Sequence, residues 1–187
     1  MKYIAFLRAI NVGGHVVKME VLRGHFETLG FSNVETFIAS GNVIFESKAK
    51  PASMQIKIER LLHESLGYEV ATFIRTLAEV DAVSRYQAFT AAAMKSAGAL
   101  CVGFLEKQLD DQACEALMRM KTDIDDFHVN GREVYWLCLN NQSGSTFSNV
   151  KFERALKVRA TFRGVNTVAK LAAKFLYPHR TSTPFPQ

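Results

Sequence analysis

Two stretches of the chain carry residue types suited to holding an anion. The first is Arg8-Ala9-Ile10-Asn11-Val12-Gly13-Gly14. Its glycines let backbone N–H groups come close to a ligand, and Arg8 offers a planar fork for phosphate or carboxylate. A helix just downstream would add the partial positive charge of its N-terminus. The second stretch is Arg159-Ala160-Thr161-Phe162-Arg163-Gly164-Val165-Asn166-Thr167, two arginines ahead of a helix that Asn166 or Thr167 can cap. Lys170 and Lys174, four apart, extend the charge along one face of that helix. Each stretch also has a plain reading, a turn with a surface arginine or a basic helix facing water. Neither has the form G-x-G-x-x-G or G-x-x-x-x-G-K-[ST], so no nucleotide fingerprint is present and no cofactor is identified.

Other chemistries find less support. His15, His25, His63, His128 and His179 show no i, i+4 pair and no H-E-x-x-H, so no metal site is expected. Asp123, Asp125, Asp126 and His128 lack the glycine and glutamate of a calcium loop and read as a solvated turn. Ser143 and Ser145 flank Gly144 without making G-x-S-x-G, and neither they nor Cys114 has an identifiable base. No motif assigns a reaction, and none signals an oligomeric state. Cys101, Cys114 and Cys138 form an odd, unspaced set, which points to a reducing cytoplasm with Cys101 and Cys138 in apolar strands.

Positive charge is unevenly placed. From Ser148 onward, Lys151, Arg154, Lys157, Arg159, Arg163, Lys170, Lys174 and Arg180 face the single acid Glu153. Since the whole chain sums to +5, the rest must be slightly acidic. Such a surface attracts phosphates, nucleic acid or acidic partners. No apolar run approaches the roughly 20 residues of a membrane span, and Met1 to Arg8 reads as a first strand rather than a signal peptide.

The elements that must position these residues follow from period and punctuation. Residues 2 to 8 form a strand ended by the glycine turn. Met19, Leu22, Phe26 and Leu29 make one helical stripe, capped by Gly30. Strands at 34–39 and 43–46 flank a Ser40-Gly41-Asn42 turn, Pro51 opens a helix carrying Ile56, Leu61, Leu62 and Leu66, and 68–74 is again extended. Thr76-Leu77-Ala78-Glu79 has the form of a capping box, and an alanine-rich link runs over 88–97. A strand at 99–105, a helix capped by Asp110, a hairpin around Asn130-Gly131, a helix capped by Ser148, an extended piece at 158–162 and a helix from Asn166 complete the order. The pattern predicts an α+β protein of two ferredoxin-like (split βαβ, βαββαβ) subdomains packed together. The N-terminal subdomain is expected over 1–76, a helical linker over 77–97, an α+β subdomain with basic helices over 98–178, and a flexible tail over 179–187. The halves share no visible motif.

Arg8 to Gly14, Ser40-Gly41-Asn42-Val43, and Thr161-Phe162-Arg163 with Asn166-Thr167-Val168 and Lys170-Leu171 resemble the three characteristic segments of the domain-of-unknown-function family 1697, in the same order and over nearly the whole chain. Family members more often have glycine where this chain has Ala9, and Asn-Trp where it has Gly164-Val165. The resemblance implies an α+β fold with a ferredoxin-like N-terminal part, and singles out Arg8, Asn11, Gly13, Gly14, Ser40, Asn42, Arg163 and Asn166. With Arg159 these are the expected ligand-binding residues, of one site formed by the N-terminal Gly-Gly loop together with the C-terminal arginines, for a small phosphorylated or carboxylated molecule. The competing expectation is a nucleic-acid or polyanion module using the basic C-terminal helices, although Tyr135 and Trp136 are adjacent and face opposite ways, unlike an RNA-stacking strand.

Overall fold

Tyr3, Ala5 and Leu7 alternate along β1 (Lys2–Leu7) and turn to one face, where α1 (Met19–Thr28) and α2 (Pro51–Leu66) cover them. The computed structural model describes residues 1–11, 14, 16–38 and 41–176, so Val12, Gly13, His15, Ala39, Ser40 and the expected tail at 179–187 lie outside the described residues. β1 pairs antiparallel with both β3 (Asn42–Glu46) and β4 (Thr72–Thr76), and β2 (Ser32–Phe37) closes the edge, giving the order β2-β3-β1-β4. Leu22 and Phe26 of α1 are fully buried against Phe31 and Phe45, each apolar side chain contributing about 1.5–3 kcal/mol.

The chain divides by its contacts after Val80, inside α3 (Leu77–Arg85). The second unit follows with α4 (Ala91–Ser96), β5 (Ala99–Leu105), α5 (Asp111–Met118), β6 (Asp125–Asn130), β7 (Glu133–Cys138), a 3-10 turn at Gln142–Gly144, α6 (Asn149–Leu156), β8 (Ala160–Gly164) and α7 (Val165–Leu176). Its sheet order is β6-β7-β5-β8, the order of the first sheet repeated. Each unit is thus a βαββαβ fold with two helices on one face, and the α+β, ferredoxin-like expectation holds for both. In the second, Trp136, Phe147, Phe152 and Phe162 form the aromatic core under α5 and α6. Tyr135, on the other face, donates its hydroxyl to the Val83 carbonyl at 3.2 Å.

Most of the punctuation does what its chemistry dictates. Thr76 and Glu79 form a complete capping box, the Glu79 carboxylate accepting from the Thr76 N–H at 2.7 Å and the Thr76 hydroxyl from the Glu79 N–H at 3.2 Å. Asp110 caps α5 through the Ala113 N–H and Ser148 caps α6 through the Lys151 N–H. Several expectations are corrected. Ile56 is 68% exposed, because the buried stripe of α2 runs at strict i, i+4 through Met54, Ile58 and Leu62. β4 starts at Thr72 rather than Tyr68, since α2 ends in the left-handed Gly67 and residues 68–71 lead back to the sheet. Asn42 is not in the turn: it opens β3 opposite Phe37, fully buried, with its side-chain amide on the Phe37 carbonyl at 3.1 Å. Asp125 is no solvated turn residue. It is 2% exposed and accepts from the Trp136 indole, the Ser145 hydroxyl and the Thr122 hydroxyl, pinning the loop before α6.

The two units also repeat devices that the sequence conceals. Glu59 on α2 accepts from the first N–H of β4, and Glu153 on α6 accepts from the first N–H of β8, both at 2.8 Å. Arg75 and Arg163 occupy the same register in β4 and β8, opposite Ile4 and Val102, and each donates to the carbonyl of the residue before it. The halves therefore do share a pattern, Ile74-Arg75 against Phe162-Arg163, visible only once the strands are in register.

Candidate functional site

At the C-terminal end of β1 the structure joins the first two segments that the sequence singled out. The Leu7 N–H donates to the Gly41 carbonyl at 2.8 Å, so the β2–β3 turn is tied to the residue before Arg8. Gly41 has φ +72°, and a Cβ there would stand 2.6 Å from Ile10 Cγ2, so only glycine lets the two loops approach this closely. The Arg8 N–H donates to the Ala71 carbonyl and the Tyr68 hydroxyl donates to the Ile10 carbonyl, tying the α2–β4 loop to the same place. Ile10, 2% exposed, fills the corner between them.

The loop that follows is shaped by Asn11, whose side-chain oxygen accepts the Val17 N–H at 2.7 Å and closes the turn ahead of α1. Ala9 sits at φ +56° and Gly14 at +89°, and on the adjoining turn Ile38 is at +50°. Left-handed backbone at a β-branched residue is an outlier that costs on the order of 1–3 kcal/mol. Arg8 is half-buried at the root of this cluster, and Gly14 is exposed. Gly13 and Ser40 lie outside the described residues.

The C-terminal residues do not form one group. Arg159 is exposed and pairs with Glu106 at 3.1 Å, just before β8. Arg163 lies four residues further along, roughly 13 Å up the strand, 9% exposed and hydrogen-bonded to the Thr161 hydroxyl and the Phe162 carbonyl. Burial pushes its pKa down to about 10, so it stays charged at neutral pH. Asn166 is exposed within the first turn of α7, whose helical residues begin at Val165, so it follows the cap position expected of it. Arg75 is the residue the sequence reading missed, and its signal was register rather than motif. Among the described residues no group of three or more His, Cys, Asp or Glu side chains is placed to hold a metal. All three cysteines are free, and burial pushes the Cys101 thiol up to about 11. No described helix is long and apolar enough to cross a membrane.

Fold and loops together define an α+β protein of two ferredoxin-like units. Residues 1–135 match the family described as protein of unknown function (DUF1697), and the chain belongs to that family. The match takes in Arg8, Asn11, Gly13, Gly14, Ser40 and Asn42 and stops short of Arg159, Arg163 and Asn166. Among solved structures, a conserved bacterial protein from Streptococcus pneumoniae is similar in fold, with a TM-score of 0.71 and 22% identity over 94% of this chain and 98% of its own. No curated protein matches the sequence.

Proposed function

We propose that the protein binds a small phosphorylated or carboxylated ligand at the loops closing the C-terminal end of β1, with Arg8 as the charged contact and the Asn11–Gly14 loop and the β2–β3 turn supplying backbone N–H groups. The observation that supports this most is the strain at Ala9 and Ile38, two non-glycine residues held left-handed on adjoining loops. Backbone strain concentrates where a loop is shaped for a ligand rather than for its own stability. Asn11 serves the shape of the loop through Val17, and buried Asn42 serves the closure of the hairpin. Three of the basic C-terminal residues are engaged within the fold, Arg163 by burial, Arg159 by Glu106 and Lys151 by the Thr146 carbonyl, which weighs toward a shaped site over a polyanion footprint.

The test is thermal stability against inorganic phosphate, sugar phosphates and small dicarboxylates. A ligand at a hundredfold excess over its Kd adds about 2.7 kcal/mol to folding stability. Arg8→Gln is expected to abolish that gain while Arg159→Gln keeps it. A panel that leaves the melting temperature unmoved argues against the proposal.

A further inference from the structure

The β5–α5 and α6–β8 turns of the second unit enclose a surface cavity of about 320 Å3. Its floor is apolar: Ala113 belongs to the buried cluster of this unit, and Leu109 and Val158 pack against that cluster. Its charged lining is three cations, Lys107, Lys157 and Arg119, and one carboxylate, Asp110. Lys157 is held there by the left-handed end of α6, at φ +55°. Lys107, Lys157 and Val158 also line an adjoining cavity of about 280 Å3 that runs on to Arg159 and Glu106.

Three of the acids nearby are already engaged. The Asp110 carboxylate accepts the Ala113 N–H at 2.8 Å, Glu106 pairs with Arg159 at 3.1 Å, and Glu115 lies 3.7 Å from Arg119. Among the described residues no carboxylate pairs with Lys107 or Lys157. Two lysine charges over an apolar floor suit a ligand with a single anionic end and a hydrocarbon body. A bare phosphate would leave the floor in contact with water. The volume sits at the low end of the roughly 300–1,000 Å3 of small-molecule sites, which limits the body to a short chain or one ring.

We infer that this cavity is a second binding site, taking a small organic carboxylate with an apolar tail. The tail lies on Leu109, Ala113 and Val158, and the carboxylate lies between Lys107 and Lys157. The inference stands apart from the proposal for the Arg8 loops, which belong to the other unit.

The probe is hexanoate, titrated into the isotopically labelled full chain, with acetate and inorganic phosphate as parallel arms. Saturable amide shifts are expected at Leu109, Ala113 and Val158 with hexanoate, and roughly tenfold weaker binding in a Lys107→Gln, Lys157→Gln double variant, about 1.4 kcal/mol for the two charge pairs together. Both lysines are exposed, so the double variant should keep the parent melting temperature. Arg8→Gln should bind hexanoate as the parent does, which separates this site from the first. The inference is overturned if hexanoate moves none of these amides, if the double variant binds equally well, or if phosphate or acetate binds there as tightly as hexanoate.

Discussion

The corner where the first strand of a unit turns into its first helix is filled in one unit and open in the other. In the first unit the connection is long, and Ile10 enters the corner under the Tyr68 hydroxyl and against Gly41. In the second, residues 106–110 connect β5 to α5 directly, nothing equivalent to Ile10 is inserted, and the cavity rimmed by Lys107 and Lys157 remains. The topology is the same and so are the helix–strand ties through Glu59 and Glu153. Loop length therefore decides which kind of site a corner can offer: a packed corner presents shaped backbone on its surface, and an unpacked one presents a hollow.

Breaking the packed corner should produce the largest effects. Gly41→Ala places a Cβ 2.6 Å from Ile10 Cγ2 at a left-handed position, and Ile10→Ala empties the plug; each is expected to cost about 2–5 kcal/mol in urea unfolding. Leu109→Ala, on the half-buried floor of the open corner, should cost about 1 kcal/mol or less. Equal losses at Ile10 and Leu109 would erase the distinction between the corners.

A smaller contrast lies in the cores. Gly103 of β5 faces Phe162, whose ring would lie 2.7 Å from an added Cβ, whereas the corresponding pair in the first unit is Ala5 with Ile74. Gly103→Ala should cost about 1–3 kcal/mol by overpacking, and Gly103→Ala with Phe162→Leu should recover part of it. Full additivity of the two substitutions would contradict this pairing.

The helix ends offer a contrast of opposite sign. α2 ends in Gly67 at φ +78° and α6 in Lys157 at +55°. Lys157→Gly should stabilise by about 0.5–1 kcal/mol, and Gly67→Ala should destabilise by about 1 kcal/mol. Ala9→Gly should gain a similar amount at φ +56°.

A further expected effect is on the pH profile. The folded pKa of Cys101 is raised to about 11 from a usual 9.0, so the native state keeps a proton that the unfolded chain releases. That contribution is present in full below pH 9 and is lost as pH rises from 9 toward 11, and Cys101→Ala should flatten this limb of a stability titration. An unchanged limb would remove Cys101 as its source.

Local signals in the sequence account for much of this fold. Thr76 with Glu79, Asp110, Ser148, Gly67 and the Asn130-Gly131 hairpin each act through neighbours a few residues away, so residue type and spacing suffice to read them. Ile56 and Asn42 were misplaced because their burial is decided by the sheet: α2 turns Met54, Ile58 and Leu62 inward, and β3 begins one residue earlier to pair Asn42 with Phe37. The Gly41 turn and the Arg8 loop lie some thirty residues apart in the chain, and the junction of Gly41 with Leu7 is a tertiary fact. The equivalence of Arg75 and Arg163 likewise needed strand register, and the lysine-rimmed cavity needed the meeting of two turns some fifty residues apart in the chain, neither of which carries a motif.

The Arg8 loops of the packed corner are proposed to hold a small anion. This is tested most directly by titrating inorganic phosphate, and separately a small dicarboxylate, into labelled protein while following backbone amides. Saturable shifts are expected in at least one titration at Ala9, Asn11, Gly14, Ile38 and Gly41, absent in Arg8→Gln. Shifts confined to other residues, or a response in Arg8→Gln as strong as in the parent, would contradict it.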